Sequence, residues 1–74
     1  MTSNETARYD IKTSFRPVDE RYVGTFEISV PHGDRLELLH VDDGREAQDF
    51  ENIADARADA EQRARAWIER QPAR

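Results

Sequence analysis

Only the last third of the chain has the periodicity of a helix, and this single helix limits what the rest can fold into. Asn52 is a good N-cap, Asp55 lies where the acid of a capping box belongs, and Pro72 cannot extend a helix. At about 100° per residue the apolar side chains form one stripe. Its members are Ile53, Ala56, Ala60, Ala64, Trp67 and Ile68. The sequence therefore predicts one helix, from residue 52 to residue 70 or 71, with one face for a core.

The residues before the helix alternate between apolar and polar side chains, which is typical of strands with one buried face. This pattern predicts a first strand over 9–16, ended by Pro17, and a second strand over 22–30. The turn formers of 31–34 predict a reversal after the second strand.

A third strand is predicted over 35–41, where the doublet Leu38-Leu39 interrupts the alternation. The doublet indicates either a bulge or apolar contact on both faces of the sheet. Asp42-Asp43-Gly44 predicts a further turn, from which a short strand over 45–50 could return.

These elements predict an α+β fold with a three- or four-stranded antiparallel sheet, β-β-β-(β)-α, and one C-terminal helix packed on one face. Its 74 residues leave room for one domain. We expect a flexible leader over 1–7, the domain over 8–71 and a short tail over 72–74.

The second half of the chain carries a set of spaced residues: Phe50, Asn52, the pair Asp55-Ala56, Ala60, Ala64 and the terminal Trp67-Ile68-Glu69. With them the chain resembles, over residues 9–71, a family of small bacterial proteins of unknown function. It implies strands followed by a helix that ends in a Trp-Ile-acid sequence. It implies no activity, and no functional residue is carried over from it.

Composition argues against several classes of function. The chain has no cysteine and no apolar run longer than three residues, so we expect a cytoplasmic protein without disulfides or a membrane span. Its formal net charge of −5 disfavours binding to nucleic acid. His32 and His40 lie near Asp34, Asp42 and Asp43, but we interpret these residues as parts of turns and strand ends. The sequence thus predicts no enzyme, no cofactor, no metal site and no small-molecule ligand.

The helix arginines suggest an alternative function, a nucleic-acid-binding module. However, Asp59 and Glu61 lie four residues before Arg63 and Arg65, a spacing that favours ion pairs along the helix. We therefore expect a self-paired, solvated face.

One helix can cover only one face of the sheet. We expect that face to carry Tyr9, Ile11, Phe15, Tyr22, Phe26, Ile28, Leu36 and Leu38. Val23, Leu39 and Val41 then point the other way, and no second helix exists to cover them. The sequence predicts that these three residues form a partner surface, either for self-association or for docking to another protein.

Overall fold

The computed structural model describes residues 9–71, so the leader predicted over 1–7 and the tail predicted over 72–74 lie outside the described residues. The described part contains four strands and one helix. They are β1 (Asp10–Val18), β2 (Arg21–His32), β3 (Arg35–Asp42), β4 (Asp49–Phe50) and α1 (Ile53–Glu69). This architecture confirms the predicted α+β fold.

The strands form an antiparallel sheet in the order β1-β2-β3. The short β4 pairs with Tyr22 and Val23 of β2, beyond the point where β3 ends. Strands β3 and β4 therefore lie in line along the same side of β2. The fourth strand considered over 45–50 is present but shorter, because only its last two residues are extended, and they pair with β2.

Helix α1 begins as its capping residues predict. The Asp55 backbone N–H donates to Asn52 Oδ1 over 2.8 Å, and Asn52 Nδ2 donates to the Asp55 carboxylate over 3.1 Å. The predicted stripe is confirmed, since Ala56, Ala60, Ala64 and Ile68 are all buried.

The core lies between this stripe and the middle of β2. Phe26 and Ile28 pack with Ala60, Ala64 and Ile68, and Tyr9, Ile11 and Trp67 close the cluster at its margin. Phe15, which we expected in the core, is 38% exposed and makes an edge contact with Tyr22. The helix thus contacts β1 and β2 and leaves β3 largely uncovered.

The helix approaches the sheet closely at Gly24. A Cβ atom at this position would lie 1.9 Å from the carbonyl oxygen of Ala56 and 2.8 Å from Cβ of Ala60. Nearer its C-terminal end the helix instead meets the sheet through Trp67, whose ring stacks on His40. Small residues therefore fill one end of the helix–sheet interface and aromatic rings fill the other.

The hairpin of β2 and β3 extends past the helix. The 12 residues of β2 span about 40 Å, whereas the 17 residues of α1 span about 25 Å. A two-residue turn at Gly33 and Asp34 closes the hairpin, and Gly33 has a φ of 68°. Every residue from 31 to 39 is exposed. The end of the hairpin is thus an uncovered arm.

Candidate functional site

A bulge in β3 decides which of its side chains lie on each face. On one side of the bulge His40 pairs with Ile28, and on the other Leu38 pairs with Ser29, so Leu39 has no partner on β2. One of the two readings of the Leu38-Leu39 doublet, the bulge, is confirmed.

The polar residues of β3 lie on the helix side of the sheet. His40 stacks on Trp67 with 4.9 Å between ring centroids and 20° between planes, and Asp42 binds Arg63 of the helix. Beyond the bulge, Glu37 pairs with Val30 and Arg35 pairs with His32, both on the face that carries Ile28.

The aliphatic residues of β3 lie away from the helix and are exposed. Leu36 pairs with Pro31 and Leu38 with Ser29, which alternate with the helix-facing residues of β2. We call Leu36, Leu38, Leu39 and Val41 the aliphatic patch; their exposed fractions are 57%, 54%, 43% and 53%.

Two of these residues contradict the sequence analysis. We expected Leu36 and Leu38 under the helix, and that assignment is wrong because the two-residue turn and the bulge place them on the opposite face. The signal was present in the sequence. Counting back from a turn at Gly33 and Asp34 sets Leu36 opposite Pro31 and Leu38 opposite Ser29.

Val23 also requires a correction. It was expected to be an uncovered surface residue with Leu39 and Val41, but it is only 3% exposed. The chain after β3 covers it: a Cβ atom placed on Gly44 would lie 3.1 Å from Val23 Cγ2, and Gly44 has a φ of 77°. A loop rather than a second helix therefore covers this side chain. Leu39 and Val41 are exposed as expected, and their binding of a partner stays a prediction.

The two edges of the sheet differ in chemistry. The β1 edge carries Lys12, Arg16 and Pro17, residues of the kind that discourage the addition of another strand. Strand β3 has neither lysine nor proline, and the aliphatic patch lies along it beside charged residues and the bulge. Its outer side therefore offers more apolar area to a partner than the β1 edge does.

Arg63 ties the inner end of β3 to the helix. Its guanidinium donates to Asp42 over 2.5 Å, to Asp59 over 2.8 Å and to the carbonyl oxygen of Gly24 over 2.6 Å. Burial alone would lower the pKa of Arg63, but the hydrogen bonds and charges of Asp59 and Asp42 outweigh burial and raise it. Arg63 is thus a fixed cation that anchors one end of β3.

A small cavity of about 260 Å³ lies beside this anchor, between β3 and the end of the helix. Its lining residues are Phe26, His40, Asp42, Arg63, Ala66, Trp67 and Arg70. Within residues 9–71, no three His, Asp or Glu side chains come together as they would around a metal ion.

The expected ion pairs along the helix are present. Arg63 binds Asp59 and Arg65 binds Glu61, each over 2.8 Å at a spacing of four residues. These two arginines are therefore already matched by acids of their own helix. Nucleic-acid binding through the helix stays an untested alternative.

Comparison of the chain with protein-family models, with curated proteins and with solved structures gave no match. The family suggested by the Trp-Ile-acid ending therefore stays a prediction. Among the described residues, no helix combines the length and apolar character needed to cross a bilayer.

Proposed function

We propose that the chain is a non-catalytic protein-interaction module that binds an extended partner strand along the edge of β3. The observation that carries the proposal is the aliphatic patch on an exposed edge strand. The resemblance to small bacterial proteins and the absence of cysteine support a setting in the bacterial cytoplasm.

Strand addition would use two features of β3 together. An edge strand offers unpaired backbone N–H and C=O groups, which give affinity to an added strand, while alternate side chains give specificity. The four members of the aliphatic patch, each between 43% and 57% exposed, offer apolar area beside those groups. Aliphatic side chains and backbone amide groups can bind a partner strand, but they do not supply the acids, bases or nucleophiles that catalysis uses.

The side chains of β3 also specify the partner. On the face away from the helix the partner strand should carry aliphatic residues, to cover Leu36 and Val41. On the helix side it should carry an acid opposite Arg35 and a base opposite Glu37, since opposed charges stabilise neighbouring strands. The partner is therefore an amphipathic strand with mixed charges.

A displayed library of random decapeptides, panned against the immobilised full chain, tests this proposal. We expect enrichment of peptides that alternate aliphatic and charged residues. Leu38→Lys should weaken their binding at least tenfold, because a lysine ammonium group cannot take the place of a leucine side chain that the bound peptide covers.

Ser14→Lys is the matched control. Ser14 is exposed, lies on the same face as Leu38 and belongs to β1, so the control should bind the peptides as the unmodified chain does. Enriched peptides without alternation, or equal binding by the Leu38→Lys variant, would remove the basis for strand addition at β3.

A further inference from the structure

We infer that the partner strand is β3 of a second copy of this chain, paired antiparallel so that residue 36 of each copy opposes residue 41 of the other. This inference rests on the proposed function and names its partner. It makes the chain a symmetric homodimer in which the two sheets join edge to edge.

The first argument is the pattern of β3 about its centre, between Leu38 and Leu39. The eight residues read Arg-Leu-Glu-Leu, then Leu-His-Val-Asp. Antiparallel pairing about this centre opposes Arg35 to Asp42 and Leu36 to Val41 of the other copy. It also opposes Glu37 to His40 and Leu38 to Leu39. The strand thus has the pattern required above of its partner: aliphatic residues oppose aliphatic residues, and the acids oppose basic or neutral side chains.

The second argument is that the bulge makes this register possible. In a regular strand Leu36 and Val41 would lie on opposite faces, because their positions in the sequence differ by five, an odd number. The bulge at Leu39 adds one residue and places both on the face away from the helix. By the same shift, Arg35 and Asp42 share the helix side. The three outer mirrored pairs, 35 with 42, 36 with 41 and 37 with 40, therefore each share a face.

Other symmetric registers fit less well. Moving the centre to Leu38 sets Leu36 against His40 and Glu37 against Leu39, and moving it to Glu37 sets two Glu37 carboxylates against each other. Like charges directly opposed across a sheet are destabilising. Charge complementarity therefore favours the register centred between Leu38 and Leu39 over these two.

Disulfide trapping tests the register directly, because the chain has no cysteine of its own. Opposed residues in antiparallel strands have Cα atoms about 4.5–5.5 Å apart, within the range that a disulfide spans. Leu36→Cys and Val41→Cys are prepared as separate full-length proteins and mixed in a glutathione redox buffer. We expect a disulfide-linked heterodimer as the main product.

Three controls accompany this mixture. Leu36→Cys alone and Val41→Cys alone should stay uncrosslinked, because the inferred register sets each cysteine about 17 Å along the strand from its copy. A mixture of Leu36→Cys with Ser14→Cys, on the β1 edge, should also fail to crosslink. All three positions are exposed, so each variant keeps the fold.

Sedimentation equilibrium of the unmodified chain separates the possible outcomes. A dimer together with the specific heterodimer disulfide supports the inference. A dimer without that disulfide, or with equal crosslinking in the controls, overturns the register. A monomer at millimolar concentration overturns the second copy as partner, while peptide binding to β3 would still uphold the proposed function.

A charge variant gives an independent measurement. Arg35→Glu places an acid against Asp42 at both symmetry-related sites and should weaken dimerisation roughly tenfold. Lys12→Glu makes the same change in charge on the β1 edge and should leave the dimer unchanged. Equal effects of the two variants would mean that only net charge matters, which contradicts the register.

Discussion

Replacing Gly24 by alanine should destabilise the fold far more than the addition of one methyl group suggests. The new Cβ would lie 1.9 Å from the carbonyl oxygen of Ala56, whereas carbon–oxygen contacts are rarely below about 3.3 Å. The obstacle is helix backbone, which cannot rotate away as a side chain can. Helix α1 must therefore retreat from β2 by about 1.4 Å or more at this point.

The cost follows from what the helix covers. A gap of about 0.5–1 Å already forfeits a quarter to a half of a dispersion contact, and overpacking costs about 1–3 kcal/mol, occasionally more. Since the displaced helix covers Phe26 and Ile28, we expect a loss of about 3 kcal/mol. A domain of this size has a free energy of unfolding near 5 kcal/mol, so most of its stability would be lost.

Urea unfolding followed by the fluorescence of Trp67, the single tryptophan, measures this loss. Gly33→Ala is the matched control, because Gly33 has nothing within 4 Å of its added Cβ but has a φ of 68°. The control should cost about 1 kcal/mol through its backbone conformation alone. Similar unfolding midpoints for the two variants would refute the reasoning, because the contact with Ala56 would then carry no cost.

Two further predictions concern the anchoring of the helix. Arg63→Met should lower the free energy of unfolding by about 2 kcal/mol, because it leaves the part-buried carboxylates of Asp42 and Asp59 without their cation. Arg65→Met is the control: Arg65 forms an exposed ion pair with Glu61, so its loss should lower the free energy of unfolding by less than about 1 kcal/mol. The pKa of Arg63 is raised in the folded state, so its contribution to stability is fully present below the unfolded pKa and is lost only as pH rises through the folded pKa. Between about pH 5 and 9 the protonation of Arg63 should therefore cause no change in the stability difference between the Arg63→Met variant and the unmodified chain. Asn52→Ala should cost about 1 kcal/mol in urea unfolding through loss of the cap, and an unchanged midpoint would contradict the capping role.

The helix and the presence of the first two strands were predictable because each depends on local signals, whereas the end of β1 was not, since the strand continues through Pro17 to Val18. The Asn52 cap, the alanine stripe and the alternation along Phe26 and Ile28 are all readable within a few residues. The ion pair of Arg63 with Asp59 was predictable for the same reason, since four residues separate them.

The tertiary contacts were not predictable in this way. Asp42 meets Arg63 across 21 positions of sequence, and Gly44 covers Val23 only because the chain folds back after β3. The face of the sheet on which Leu36 and Leu38 lie depended on the bulge at Leu39, since a shift of one residue moves side chains to the opposite face of a strand. The composition of the patch could therefore be read from the sequence, but its location required the register.

The uneven filling of the helix–sheet interface has a mechanical consequence. Gly24 and the alanines bring the first turns of α1 close to β2, while Trp67 stacks on His40 near the other end of the helix. The two ends of the helix are therefore held by different contacts, backbone against backbone at one end and ring against ring at the other. Shortening Trp67 would remove the contact with His40 and widen the cavity beside Arg63, which Trp67 lines, without a change in the backbone contact at Gly24.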